Sequence, residues 1–170
     1  MQKPNPTEYN PYFQRYIDHV KDGDFFQLFR ENTEATVAFF AALPPEKHAY
    51  RYAENKWTIK QMLLHILDTE RIFMYRALVC ARGDRETQLQ SYDENFYADN
   101  APATNRSMES LLEEFKTLRR SSEIFFETLS AEESQRTAAV GERLLSARAV
   151  GYIFIGHVLH HIGVVKERYL

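Results

Sequence analysis

Apolar residues recur at helical spacing through four long stretches of the chain. They are Phe25, Leu28, Phe29, Phe39 and Phe40 in the first, and Met62, Ile66, Phe73 and Ala77 in the second. Met108, Leu111, Leu112, Phe115 and Phe126, with Ser122, mark the third, and Val150, Ile153, Phe154, Val158, Val164 and Val165 the fourth. At about 100° per residue each set gathers on one arc of a helix, the side that must be buried. Polar punctuation sets the ends. Gly23 breaks the chain, and Asp24 with Gln27 predicts a capping box opening a helix that runs to about Leu43 and stops before Pro44-Pro45. Thr58 with Gln61 predicts a second capping box, opening a helix that continues to Arg82 and ends at Gly83. Ser107 caps a third helix reaching about Leu129, and Ser146 a fourth running nearly to Leu170.

Between these lie weaker segments. The first ten residues are polar and rich in proline and read as an arm on the surface, followed by a short helix over Pro11 to Val20. Asp84 to Arg106 is a long polar connection, of the kind that crosses a bundle from end to end or covers a site. Ser130 to Leu145, which holds Gly141, reads as irregular. The expected fold is all-α, a four-helix bundle in one domain spanning residues 1 to 170.

Composition narrows the function classes. The chain has 170 residues, enough for one core, and its 12 Phe and 10 Tyr are spread along its whole length. A net charge of -3 without a basic stripe argues against nucleic-acid binding, and Arg136, Arg143 and Arg148 read as a solvated surface. The longest apolar runs, such as Val37 to Leu43, look too short to span a bilayer, and the N-terminus lacks the apolar stretch of a signal peptide. The single cysteine, Cys80, cannot form an internal disulfide, so a cytoplasmic location is the default expectation.

Histidines stand where apolar residues are expected. His157 and His161 fall inside the buried arc of the fourth helix one turn apart, His160 lies at its edge, and His65 flanks the buried face of the second. An i, i+4 pair projects both imidazoles from one side of a helix, and a third from a facing helix completes a three-nitrogen set with a position left open. Composition and spacing leave a metal site and a group of hydrogen-bonded core histidines both open. Arg119 falls on the inward arc of the third helix, where it pairs with a carboxylate such as Glu70, meets an anionic ligand, or snorkels outward along its aliphatic stem. Asn32 either lines a pocket or bonds to backbone in the core. Trp57 reads as a packing anchor at the entrance of the second helix, His19 and His48 as surface residues. Cys80 lies too far along its helix from His65 to share a site with it.

Several blocks together resemble the DinB-like (damage-inducible, YfiT-like) family of four-helix bundle proteins. They are the run Tyr12 to Asp18, Lys56 to Gln61, His65 to Arg71, Arg76-Ala77-Leu78 with Ala81 to Asp84, Gly156 to His161, and Lys166 to Leu170. The resemblance implies up-down-down-up order with a long crossover between the second and third helices. It also implies a divalent metal, Zn or Ni first and Fe or Mn next, held by His65, His157 and His161. Relatives include metal-dependent transferases that use low-molecular-weight thiols, a mycothiol-dependent isomerase and hydrolases. The expectation is therefore a metal-dependent transferase acting on a small thiol and an electrophile. The alternatives are a metal-dependent hydrolase or a non-catalytic binding bundle, with a homodimer as one assembly open to it. Arg119, Glu70, Asn32 and His160 are the expected pocket or supporting residues.

Overall fold

The computed structural model describes residues 1–101 and 103–170; Pro102, inside the expected connection from Asp84 to Arg106, lies outside the described residues. Four long helices carry the fold: α2 (Phe25–Ala41), α3 (Ile59–Arg82), α5 (Met108–Glu127) and α7 (Ala147–Arg168). Their ends follow local chemistry. Thr58 and Gln61 form a complete capping box at α3, and Gly83 closes that helix in the left-handed region at φ 67°. Ser107 and Ser146 each accept a backbone N–H of the first turn. At α2 only half of the expected box forms: Asp24 accepts from the Gln27 backbone, while the Gln27 amide turns away to Glu31.

Contacts between named residues fix the order of the bundle. Phe25 meets Tyr152 at one end and Lys166 lies over Phe39 at the other, so α2 and α7 run parallel. His65 meets His161 while Cys80 meets Leu145 just before α7, so α3 and α7 are antiparallel. Glu70 meets Ser122 and Arg82 lies over Phe125, so α3 and α5 are parallel, while Phe29 against Phe126 belongs to an antiparallel α2–α5 pair. The sense is up-down-down-up.

A parallel α3–α5 pair forces the chain to travel back along the bundle between them. The crossover does so, and it is more ordered than a polar loop: it contains α4 (Glu94–Asn100), and its Leu89, Ala98 and Ala103 are buried. Gln61 and Lys60, at the start of α3, donate to the carbonyls of Ala98 and Arg106 near the far end of the crossover.

Three further expectations are corrected. Ser130 to Leu145 is not irregular: it forms α6 (Ala131–Gln135) and an antiparallel hairpin of β1 (Thr137–Val140) and β2 (Arg143–Ser146), with Gly141 at φ 59° in the two-residue turn. Ala138 and Leu145 are buried, and the hairpin packs with Val79, Cys80, Ala81 and Leu89 over one end of the bundle. The N-terminal arm lies on the surface as expected and is anchored there: Glu8 receives Arg148 Nε at 2.7 Å, a second bond from Arg148 Nη2, and Ser146 Oγ at 2.8 Å. Arg148 is therefore buried and paired, not solvated, and Arg136 donates to the Ala81 carbonyl. Finally, α7 is long and apolar enough to cross a membrane by length and composition alone, although 67% of its most apolar 18-residue stretch is buried inside the bundle.

The core divides into two apolar halves. Phe40, Leu63, Leu111, Phe115, Val158 and Val165 belong to one, and Phe25, Phe29, Phe73, Phe126, Ile153 and Phe154 to the other. Between them each helix contributes buried polar groups: Asn32 and Thr36 from α2, Glu70 from α3, Arg119 and Ser122 from α5, and His157 from α7.

Candidate metal centre

The short helix α1 (Gln14–Ile17) is what turns a helix–helix seam into a site. It docks on α7 at Gly156, where a Cβ would collide with the Tyr16 backbone carbonyl. That close approach sets the Tyr16 ring edge-on to His157, with 5.2 Å between centroids, and to His160 at 5.5 Å. From α3, His65, Thr69, Phe73 and Arg76 follow at helical spacing and form one wall of a cavity of about 400 Å³. The crossover supplies Tyr92, whose hydroxyl lies 2.6 Å from that of Thr69, and Trp57 closes the other end with its ring 4.6 Å from that of His65.

His65, His157 and His161 converge on one point of this cavity. Their candidate ligand atoms all lie within 4.8 Å of one another, and among the described residues no further His, Cys, Asp or Glu joins them. His157 Nε2 stands 3.1 Å from His65 Nε2 and 2.9 Å from His161 Nε2. A neutral imidazole presents at Nε2 either one N–H or one lone pair, in the ring plane. His157 therefore cannot satisfy both neighbours at once. Gaining protons is no remedy: burial holds His65 down to about 4, and burial, followed by the repulsion that protonated neighbouring histidines would exert, holds His157 and His161 well below the usual histidine range. Three neutral nitrogens with converging lone pairs suit a divalent cation, and zinc–nitrogen bonds of about 2.0–2.1 Å would hold tetrahedral nitrogens roughly 3.3 Å apart. The residues fit such an ion.

The other expected residues divide. His160 is half-buried, lines the cavity and stands outside the three-nitrogen set. Glu70, Arg119 and Asn32 do not line it. Arg119 Nε lies 2.7 Å from Glu70 Oε2, Ser122 Oγ donates to Glu70 Oε1 at 2.6 Å, and Arg119 Nη2 donates to the Phe154 carbonyl one turn before His157. A buried charge needs compensation, and Arg119 finds it inside the core instead of in a ligand. Burial pushes the Glu70 carboxyl up, and the Arg119 guanidinium opposes it. Asn32 is a core residue whose amide reaches the Ile155 carbonyl at 3.5 Å. Cys80 is fully buried, donates to the Leu145 carbonyl at 3.0 Å and is pushed up to about 11 by burial, so it offers no thiolate. His48 is half-buried with Nε2 at 3.1 Å from the Leu43 carbonyl, while His19 is exposed.

Sequence reasoning passed over Arg76, Thr69 and Tyr16, and it gave Trp57 only a packing role. The first two were within reach, since residues four, eight and eleven places after His65 share its helix face. Tyr16 carried no periodic signal, because α1 is a single turn, too short to show one.

Comparison with known proteins agrees with this architecture. The model of the DinB superfamily matches residues 28–165. YfiT from Bacillus subtilis, described as a probable metal-dependent hydrolase with an unusual four-helix bundle topology, is similar in structure with a TM-score of 0.74. The two share 16% sequence identity over 98% of this chain and 90% of YfiT. A DinB-like protein of Bacillus subtilis, YjoA, has a TM-score of 0.59 and 19% identity over 85% of this chain and 88% of its own. No curated protein matches the chain.

Proposed function

The chain belongs to the DinB superfamily, and from that premise we propose that it is a metal-dependent hydrolase of a small molecule, with the ion held by His65, His157 and His161. The observation that carries the reading is the convergence of three neutral imidazole nitrogens on an open cavity, with no fourth protein ligand among the described residues. A divalent ion bound there supplies Lewis-acid activation of water at neutral pH. The chain's own residues bind and orient. Trp57 against His65 and Tyr16 against His157 hold the imidazole rings in place and present aromatic walls to a substrate. The Thr69–Tyr92 pair offers a hydroxyl hydrogen bond inside the cavity, and His160 stands beside His161 as a group able to accept or return a proton. Hydrolysis is preferred to thiol transfer because YfiT, whose fold the chain shares, is described as a probable hydrolase.

The test is metal titration of protein purified without an affinity tag, followed by turnover of a panel of chromogenic esters, amides and phosphate esters. Each assay is run with and without small cellular thiols. Hydrolysis should require the metal and fall at least a hundredfold in His161→Ala, since removal of one of three ligands leaves an incomplete set. Turnover that depends on His161 only when thiol is present replaces hydrolysis by thiol transfer. Absence of both leaves a binding bundle.

A further inference from the structure

Among the described residues three arginines are buried: Arg76, Arg119 and Arg148. Two have a carboxylate, Glu70 beside Arg119 and Glu8 beside Arg148. Arg76 has none. Its residue is 5% exposed, its Nη2 donates to the Gln90 carbonyl at 2.6 Å, and its guanidinium lies over the Phe73 ring at 4.5 Å. Among the described residues no ion pair joins it to any Asp or Glu, although every other deeply buried charge there is paired. It forms part of the cavity wall, on the helix face that also carries His65.

A guanidinium held away from water and left without a counter-charge costs free energy, unless a ligand brings the missing anion. We propose that Arg76 is the anchor for a substrate oxyanion, a carboxylate or a phosphate, at the end of the cavity opposite the three histidines. Eleven residues separate Arg76 from His65, a rise of about 16 Å along α3, and the arginine side chain spans part of it. The substrate class is thus an elongated molecule with its reacting group near the histidines and a terminal oxyanion at Arg76. Aromatic rings, Phe73, Tyr92 and Phe13, lie along the way and suit an apolar or aromatic middle. Glu94 is the cavity's one carboxylate among the described lining residues, and it is exposed and opens to water. The assignment rests on the hydrolytic reading for what happens at the other end, but the anchor itself is independent of the ion.

The experiment uses the full chain after metal removal by a chelator, and follows the fluorescence of Trp57, the protein's one tryptophan and part of the cavity wall. The probes are 4-phenylbutyrate, its uncharged amide, and 2-phenylethyl phosphate. The acids should bind at least tenfold tighter than the amide, and Arg76→Gln should remove that preference. Arg82→Gln, which loses the same charge at an exposed position off the cavity, should keep it. Stronger binding of the carboxylate identifies a carboxylic-acid substrate, stronger binding of the phosphate a phosphate ester. Equal binding of acid and amide, no saturable acid binding, or a preference that survives in Arg76→Gln overturns the proposal. Should Arg76→Gln fail to fold, Arg76→Lys is used, where loss of the forked donor must narrow the preference. Protein that binds the acids through Arg76 but takes up no metal keeps this assignment and loses the hydrolytic reading; the reverse result does the opposite.

Discussion

Arg119 and Glu70 are 1% and 2% exposed, and neither can lose the other cheaply. Arg119→Met should destabilise the protein by about 3–5 kcal/mol, because it strands the Glu70 carboxylate in the core with Ser122 as its remaining donor. Replacing both residues with apolar ones of similar size should recover most of that loss, since desolvation of the two charges disappears with their attraction. Urea unfolding of the single and double variants measures both; a single variant within about 1 kcal/mol of wild type would refute the pairing. The same residues show what a sequence can carry. That Arg119 faces inward followed from spacing, and so did the choice of Glu70 over other acids. That the pair sits behind the cavity wall did not follow, because helical periodicity gives a direction and no depth.

A close backbone approach leaves two elements no room for a side chain between them. At Gly156 a methyl group would meet the Tyr16 carbonyl, and backbone cannot move aside as a side-chain tip does. Gly156→Ala should push α1 off α7, cost about 1–3 kcal/mol and free the Tyr16 ring from His157. Thermal unfolding together with the Tyr16 and His157 ring resonances checks this; an unchanged melting temperature with unchanged resonances would show that α1 is not seated there. The four long helices were legible because each shows several turns of pattern and a capping residue. The seven residues of α4 are too few to show a period, and only Ala98 among them is buried. The hairpin was legible in principle, since Gly141-Glu142 between short apolar runs is a two-residue turn. The pairing of Glu8 with Arg148 joins positions 140 apart and leaves no local trace. The three histidines were the opposite case, two of them one turn apart and the third on a marked face.

At the scale of the whole molecule the arm closes the chain's beginning onto its last helix. Burial pushes the Glu8 carboxyl up, but bonds from Arg148, the Asn5 backbone and Ser146 outweigh it and hold the group down to about 2. A carboxylate depressed in the folded state stabilises it fully above its unfolded value near 4.5, and the contribution fades as pH falls toward 2. The difference in urea stability between wild type and Glu8→Gln should be on the order of 2–3 kcal/mol at pH 7 and shrink steadily below about pH 4.5. A difference independent of pH would mean the arm is held by packing alone. The polar layer across the middle of the bundle has a different consequence. Apolar helices tolerate sliding by a turn, because one leucine-sized contact replaces another. Here a slide of one turn would part Arg119 from Glu70 and His157 from His65 together. The layer therefore acts as an index mark, admitting one vertical alignment of the four helices, and the residues that bring the three imidazoles to one height are the same ones that penalise every misaligned packing.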